Sequence, residues 1–194
     1  MGNVGTGLGS VVQQNQLNVL MFGLENAGKT HLLYTGLVGN NTVTNTLTMS
    51  STTGHDLIQP TAGFNCEYVI GTKESFSVWD IGGDPQNREF WTYYVNNIKA
   101  SVIIYVVNAN ECIERLRESQ RVLHTLMTEP NIANASLVVV FNSTLSKYSN
   151  MIWVEQPFKK EQLVEVFKLS KLKQFKKSYE FDVNDQEKCN NMFD

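Results

Sequence analysis

Short apolar runs alternate along this chain with stretches of helical spacing. LNVLMF at 17–22 is too short for a helix and is ended by Gly23, so it predicts a buried strand. A helix should follow from Lys29 to about Leu37, with Leu32 and Leu33 turned inward. The segments 64–70 and 75–80 flank Gly71 and Thr72, the composition of two antiparallel strands joined by a short turn at one edge of a sheet. SVIIYVV at 101–107, SLVVVF at 136–141 and YEFDV at 179–183 predict further strands. Between them, Leu116, Leu123 and Met127 mark one helix face, and Leu163, Val166 and Phe167 another. Strands alternating with helices predict an α/β fold. Its mostly parallel six-stranded sheet has helices on both faces, one antiparallel edge strand, and ligands at the carboxyl ends of the strands.

Two stretches fall outside that pattern. Residues 1–16 carry Gly2, Gly5, Gly7 and Gly9 followed by amides, a composition too costly in backbone entropy to fold alone, and are expected to form a flexible arm. The Asn/Thr/Ser-rich segment NNTVTNTLTMSSTTG lacks periodicity and reads as an extended loop, an insertion at about 38–58 within one domain spanning 17–194.

Composition narrows the functional classes. The 194 residues suit one domain, and 16 Lys+Arg against 19 Asp+Glu give a net charge of −3, with no overall basic excess to announce nucleic acid. Phosphate recognition therefore has to be local. Cys66, Cys112 and Cys189 are an odd, widely spaced set that suits reduced cytosolic thiols, and His31, His55 and His124 show no metal-ligand spacing. No apolar run approaches the roughly 20 residues that span a bilayer.

Gly23-Leu24-Glu25-Asn26-Ala27-Gly28-Lys29-Thr30 matches G-x-x-x-x-G-K-[ST] and lies between a predicted strand and a predicted helix, the setting the motif requires. Its glycines let the backbone wrap closely, so that N–H groups and a helix N-terminus can face phosphates. Lys29 would reach the β- and γ-phosphates, and Thr30 would ligate Mg²⁺.

Beyond the loop, Pro60-Thr61-Ala62-Gly63-Phe64-Asn65 and Trp79-Asp80-Ile81-Gly82-Gly83 follow in order. Together the three motifs resemble those of ADP-ribosylation-factor-like (Arf/Arl) small GTPases, which implies a P-loop NTPase G domain. The resemblance extends more weakly from Leu17 to the C-terminus. It implies that Thr61 closes onto Mg²⁺ and the γ-phosphate, that Asp80 holds the metal through water, and that the Gly83 N–H contacts the γ-phosphate. GTP or GDP with Mg²⁺ would be the ligands, and exchange factors, activating proteins and effectors the partners. Phe90, Trp91 and Tyr94 stand where the family contacts such proteins, and a helix face packed on the core is an equal alternative for them. Met1-Gly2-Asn3-Val4-Gly5-Thr6 fits the N-myristoylation pattern at Gly2. A role in membrane trafficking is implied, in the cytoplasm and peripherally on Golgi or other endomembranes, with no nucleic-acid partner.

The chain departs from the family in places that bear on chemistry. Asp84 occupies the position of the catalytic Gln, and a carboxylate there repels the γ-phosphate and lacks the amide's donor, so hydrolysis by Asp84 and Thr61 is expected to be slow. The guanine motif N-K-x-D reads Asn142-Ser143-Thr144-Leu145, so Asn142 alone is retained and guanine selectivity is expected to drop by a few kcal/mol. The alternatives are a scaffold of this fold without turnover, and a P-loop kinase or ATPase with another base preference. Against the kinase, Arg88, Arg115, Arg117 and Arg121 are the only arginines, and the last three are expected on a solvated helix face away from the loop.

Overall fold

The computed structural model describes residues 16–38, 61–70, 74–144, 158–182 and 184. The arm with Gly2, the Asn/Thr/Ser-rich stretch, the turn at Gly71 and Thr72, Leu145, and the residues after 184 lie outside that set. Strands β1 (Gln16–Phe22), β2 (Phe64–Ile70), β3 (Ser75–Ile81), β4 (Ala100–Asn108), β5 (Ser136–Asn142) and β6 (Phe175–Phe181) form one six-stranded sheet in the order β2-β3-β1-β4-β5-β6. β2 runs antiparallel to β3 at one edge, and every other pairing is parallel.

Because side chains alternate along a strand, each apolar run feeds two cores. Leu20 and Phe22 of β1, with Ile103, Tyr105 and Val107 of β4, enter one cluster. That cluster is covered by α3 (Trp91–Asn97), α4 (Ile113–Leu126) and α5 (Lys160–Val166) through Trp91, Leu116, Leu123 and Leu163. Val19 and Met21, with Ile104 and Val106, enter the other, beneath Leu32 and Leu33. Near-continuous apolar strands are thus the signature of a sheet buried on both faces.

Two boundaries differ from the sequence expectation. The helix after Gly28 is α-helical only over α1 (Lys29–His31) and continues as π-helical turns over Leu32–Val38. There the Thr35 hydroxyl donates to the His31 carbonyl at 2.6 Å, occupying the acceptor that an α-helix would offer the Thr35 N–H. β6 begins at Phe175, earlier than the YEFDV run suggested. Its opening residues Lys176 and Lys177 are exposed on an edge strand, where solvent-facing lysines are tolerated and mask the apolar pattern.

Tyr105 is fully buried, and its hydroxyl donates to the Ser119 carbonyl at 3.0 Å, pinning α4 to β4. Burial holds the phenol above its ordinary pKa. Tyr105→Phe, which deletes this bond but keeps the ring, is expected to lower unfolding free energy by about 1 kcal/mol. Tyr105→Ala is expected to cost about 3–5 kcal/mol. Urea denaturation measures both, and equal losses would contradict the separation of packing from hydrogen bonding.

Candidate functional site

β1 lies where the strand order reverses, with β3 on one side and β4 on the other, and its carboxyl end opens the loop 23–28. Such reversal points leave a crevice for ligands. Gly28 adopts φ 89°, and a Cβ there would collide with the Asn142 side chain, so the loop can close only with glycine.

Lys29 is 6 % exposed, and its ammonium donates to the carbonyls of Gly23 at 2.9 Å and Leu24 at 3.0 Å. Burial lowers its pKa to about 8, partly offset by the carboxylates of Asp80, Glu25 and Asp84. An ammonium has three donors, so one remains for a ligand at the mouth of the loop.

Beside it, Thr30 donates its hydroxyl to Asp80 Oδ2 at 2.6 Å and lies 2.9 Å from the Thr61 hydroxyl. Asn65 Nδ2 donates to the same carboxylate oxygen at 3.2 Å. Asp80 is fully buried, and its other oxygen, Oδ1, has no partner among the described residues. An orphaned buried carboxylate oxygen beside two hydroxyls is a set of hard oxygen donors. Among the described residues no group of three or more His, Cys, Asp or Glu could hold a metal alone. A cation at Asp80 would therefore be completed by ligand oxygens and water, which is the habit of Mg²⁺.

β3 delivers Gly82 and Gly83 to the rim of this site. The Gly83 carbonyl accepts from the Glu25 N–H at 3.1 Å, and a Cβ on Gly83 would overlap the Gly23 carbonyl and crowd Lys29 Nζ. Gly82 donates its N–H to the Gly63 carbonyl at 2.8 Å and accepts from the Trp91 indole at 2.9 Å. Asp84 caps helix α2 (Pro85–Arg88), its Oδ1 accepting from the N–H groups of Gln86 and Asn87 at 3.0 Å each and its Oδ2 from the Asn87 side chain. These hydrogen bonds hold its carboxyl below the usual range.

On the far side, Asn142 at the end of β5 donates to the Ala27 carbonyl at 3.0 Å and accepts from the Thr144 N–H at 3.0 Å. The Ser143 hydroxyl is turned to the Phe181 carbonyl at 3.3 Å, and Asn110 Nδ2 donates to the Ser143 carbonyl at 3.1 Å. Gly23 to Thr30, Thr61, Asp80, Gly83 and Asn142 thus converge on one end of the sheet, with Asp84 at its border; Gly2 lies outside the described residues.

The arginines of α4 divide differently from the sequence expectation. Arg115 is not on a face remote from the loop: its guanidinium reaches Glu25 at 2.8 Å and Glu118 at 2.7 Å, and Glu118 also holds Arg88 of α2 at 3.0 Å. Arg117 and Arg121 are exposed as expected. No local motif marks such a chain of ion pairs, because its members come from three elements. Of the two readings open for the aromatics after Gly83, Trp91 takes the core-packed one, buried against Phe22 with ring centroids 4.8 Å apart. The outward-facing aromatics are Phe64, stacked on Trp79 and Tyr94 at 5.3 and 5.7 Å, together with Phe90 and Tyr93. Glu67 of β2 also escaped the sequence reading. It is buried, bonded to the Tyr34 hydroxyl at 3.1 Å, and raised in pKa by burial.

A central parallel sheet with this loop at its reversal point and a Thr-Thr-Asp cluster beside it defines the P-loop class of nucleotide-binding folds. A model of the ADP-ribosylation factor family matches residues 5–183, and the chain belongs to that family. Its fold is similar to that of the Arl6 BBS3 small GTPase from Trypanosoma brucei, solved with the nucleotide analogue GppNp bound. The TM-score is 0.64 at 20 % identity, with 87 % of each chain covered.

Asn142→Ala removes the bond that joins the segment after β5 to the phosphate loop, together with the one that closes the turn to Thr144, and leaves the buried Ala27 carbonyl without its partner. The expected loss of stability is about 1–3 kcal/mol. Chemical denaturation of the nucleotide-free protein checks it, and an unchanged midpoint would count against this tie.

Proposed function

We infer that the chain is an Arf/Arl-type switch that binds GTP and GDP together with Mg²⁺ and hydrolyses GTP slowly or only with a partner. The observation that carries this reading is the Lys29 ammonium, buried at the mouth of a closed backbone loop beside an Asp80 oxygen that has no protein partner. Loop N–H groups and Lys29 would hold the β- and γ-phosphates, while Thr30, Thr61 and Asp80 would hold Mg²⁺, which supplies charge neutralisation along the phosphates. The Gly83 N–H would face the γ-phosphate, and Asn142 would keep the base-side loop against the phosphate loop. Titration with labelled GDP, GTP and ATP tests the reading; failure to bind either guanine nucleotide overturns it.

The buried ammonium gives this binding a pH signature. Polyphosphate favours the charged lysine, so the complex holds more protons than the free protein, and affinity falls as pH rises through about 8. One unit higher, affinity is expected to be about tenfold weaker, and Lys29→Ala should lose both the affinity and this pH dependence. A flat pH profile for the unsubstituted chain would contradict the role.

Asp84 separates this reading from its rival, a scaffold of the same fold that turns nothing over. The rival is favoured by a carboxylate engaged in capping α2 and by the outward aromatics Phe64, Phe90 and Tyr93. Single-turnover hydrolysis should be slow, unchanged in Asp84→Ala, and raised on the order of tenfold or more in Asp84→Gln, which restores an amide donor. No acceleration by Gln would favour the scaffold. Ser143 is too short to pack along a base as a lysine would, so discrimination against other bases is expected to be weak, and ATP competition reads it directly. Acylation at Gly2, within M-G-x-x-x-[ST], would place the protein peripherally on endomembranes and fit a trafficking role.

A further inference from the structure

A single myristoyl chain holds a protein only marginally at a membrane, and stable attachment needs a second signal. The fold supplies a candidate at the end of the sheet opposite the phosphate loop. After α5 the chain turns through the 3₁₀ segment Leu169–Lys171 into β6, and this passage carries Lys168, Lys171, Lys173, Lys176 and Lys177, all exposed. No acidic residue intervenes between Glu165 and Glu180, in a chain whose net charge is −3. Among the described residues none of these lysine ammonium groups takes part in an ion pair, and that of Lys177 stands over the Tyr179 ring, 4.5 Å from its centroid.

Edge-strand protection accounts for part of this cluster, since lysines on a sheet edge oppose edge-to-edge pairing. It accounts for Lys176 and Lys177 but not for Lys168, Lys171 and Lys173, which precede the strand. Buried Leu169 and the Gln174 contacts, its carbonyl accepting from the Leu137 N–H at 2.8 Å and its side chain donating to the Met127 carbonyl at 3.2 Å, fix the segment to the body of the fold. The nearby carboxylates are Glu161 and Glu165 on α5 and Glu129 after α4, the last engaged by the Thr92 hydroxyl at 3.1 Å.

We propose that this lysine-bearing face docks on an anionic lipid membrane. β1 and β6 run parallel with β4 and β5 between them, so Gln16, the first residue of β1, lies at the same end of the sheet, offset sideways by about 14 Å across three strand spacings. Seating that end on a membrane leaves the loop at 23–30 and the aromatics around Phe64 on the side facing away. The proposal deepens the peripheral-membrane reading, yet the lysine face acts without the acyl group.

The test uses the full-length unacylated protein in flotation assays with phosphatidylcholine vesicles, with and without phosphatidylserine. Each lysine near an anionic surface contributes about fivefold to partitioning. Binding should therefore require phosphatidylserine, weaken as salt is raised, and fall at least about hundredfold in Lys168→Glu/Lys171→Glu/Lys173→Glu. Charge reversal keeps the region polar, and Lys→Gln at the same positions serves if the reversal variant unfolds. Nucleotide titration of the same variants should be unchanged, which separates failure of this surface from failure of the nucleotide site. Partitioning that ignores phosphatidylserine, variants that float like the parent, or lysine-dependent binding to heparin or an acidic polypeptide that outcompetes the vesicles would overturn the proposal.

Discussion

A buried ammonium held by two backbone carbonyls organises this molecule. Lys29 points back into its own loop, bonded to Gly23 and Leu24, and burying a cation there is tolerable only because oxygens surround it and carboxylates stand near. The loop must consequently curl tightly, which requires glycine where the chain turns against Asn142 and where Gly83 presses on it. An apolar residue at 29 would relieve the electrostatic cost and remove the reason for the curl.

Around that loop the elements are tied together by single, well-placed contacts. Glu25 binds the Gly83 carbonyl through its N–H and Arg115 through its carboxylate, so one loop residue touches both β3's exit and α4. Glu118 continues the chain to Arg88 on α2. Each pair is partly solvated and individually worth little, but the series spans the phosphate loop and the segment after Asp84. Gly82 joins Gly63 to Trp91 in the same way. A ligand that shifted the loop would press on both segments at once.

The Asp at position 84 has a different meaning once its carboxylate is located. As sequence, Asp84 reads as a charge beside phosphate. In the fold it is a helix cap with both oxygens engaged, so its first effect is to order the start of α2. The outward aromatics show the same dependence on context: Trp91 is a core residue roofing Phe22, whereas Phe64, buried by no neighbour in sequence, stands out from the edge strand.

Taken alone, the sequence determined the layered α/β architecture, the antiparallel pair at one edge and the phosphate loop, because these depend on period, run length and a motif whose spacing is local. It also singled out Thr61, Asp80 and Gly83 through short motifs kept intact, and Asn142 through a motif of which the Asn alone is retained. Only the tertiary structure decided which arginine meets the loop, which aromatic is buried, where β6 begins, and that five lysines share one end of the sheet with the start of β1. Those facts depend on the direction in which each strand runs and on side chains meeting across elements far apart in the chain. Pairing of that kind leaves no periodic trace, because its partners are chosen by packing geometry rather than by neighbours in sequence.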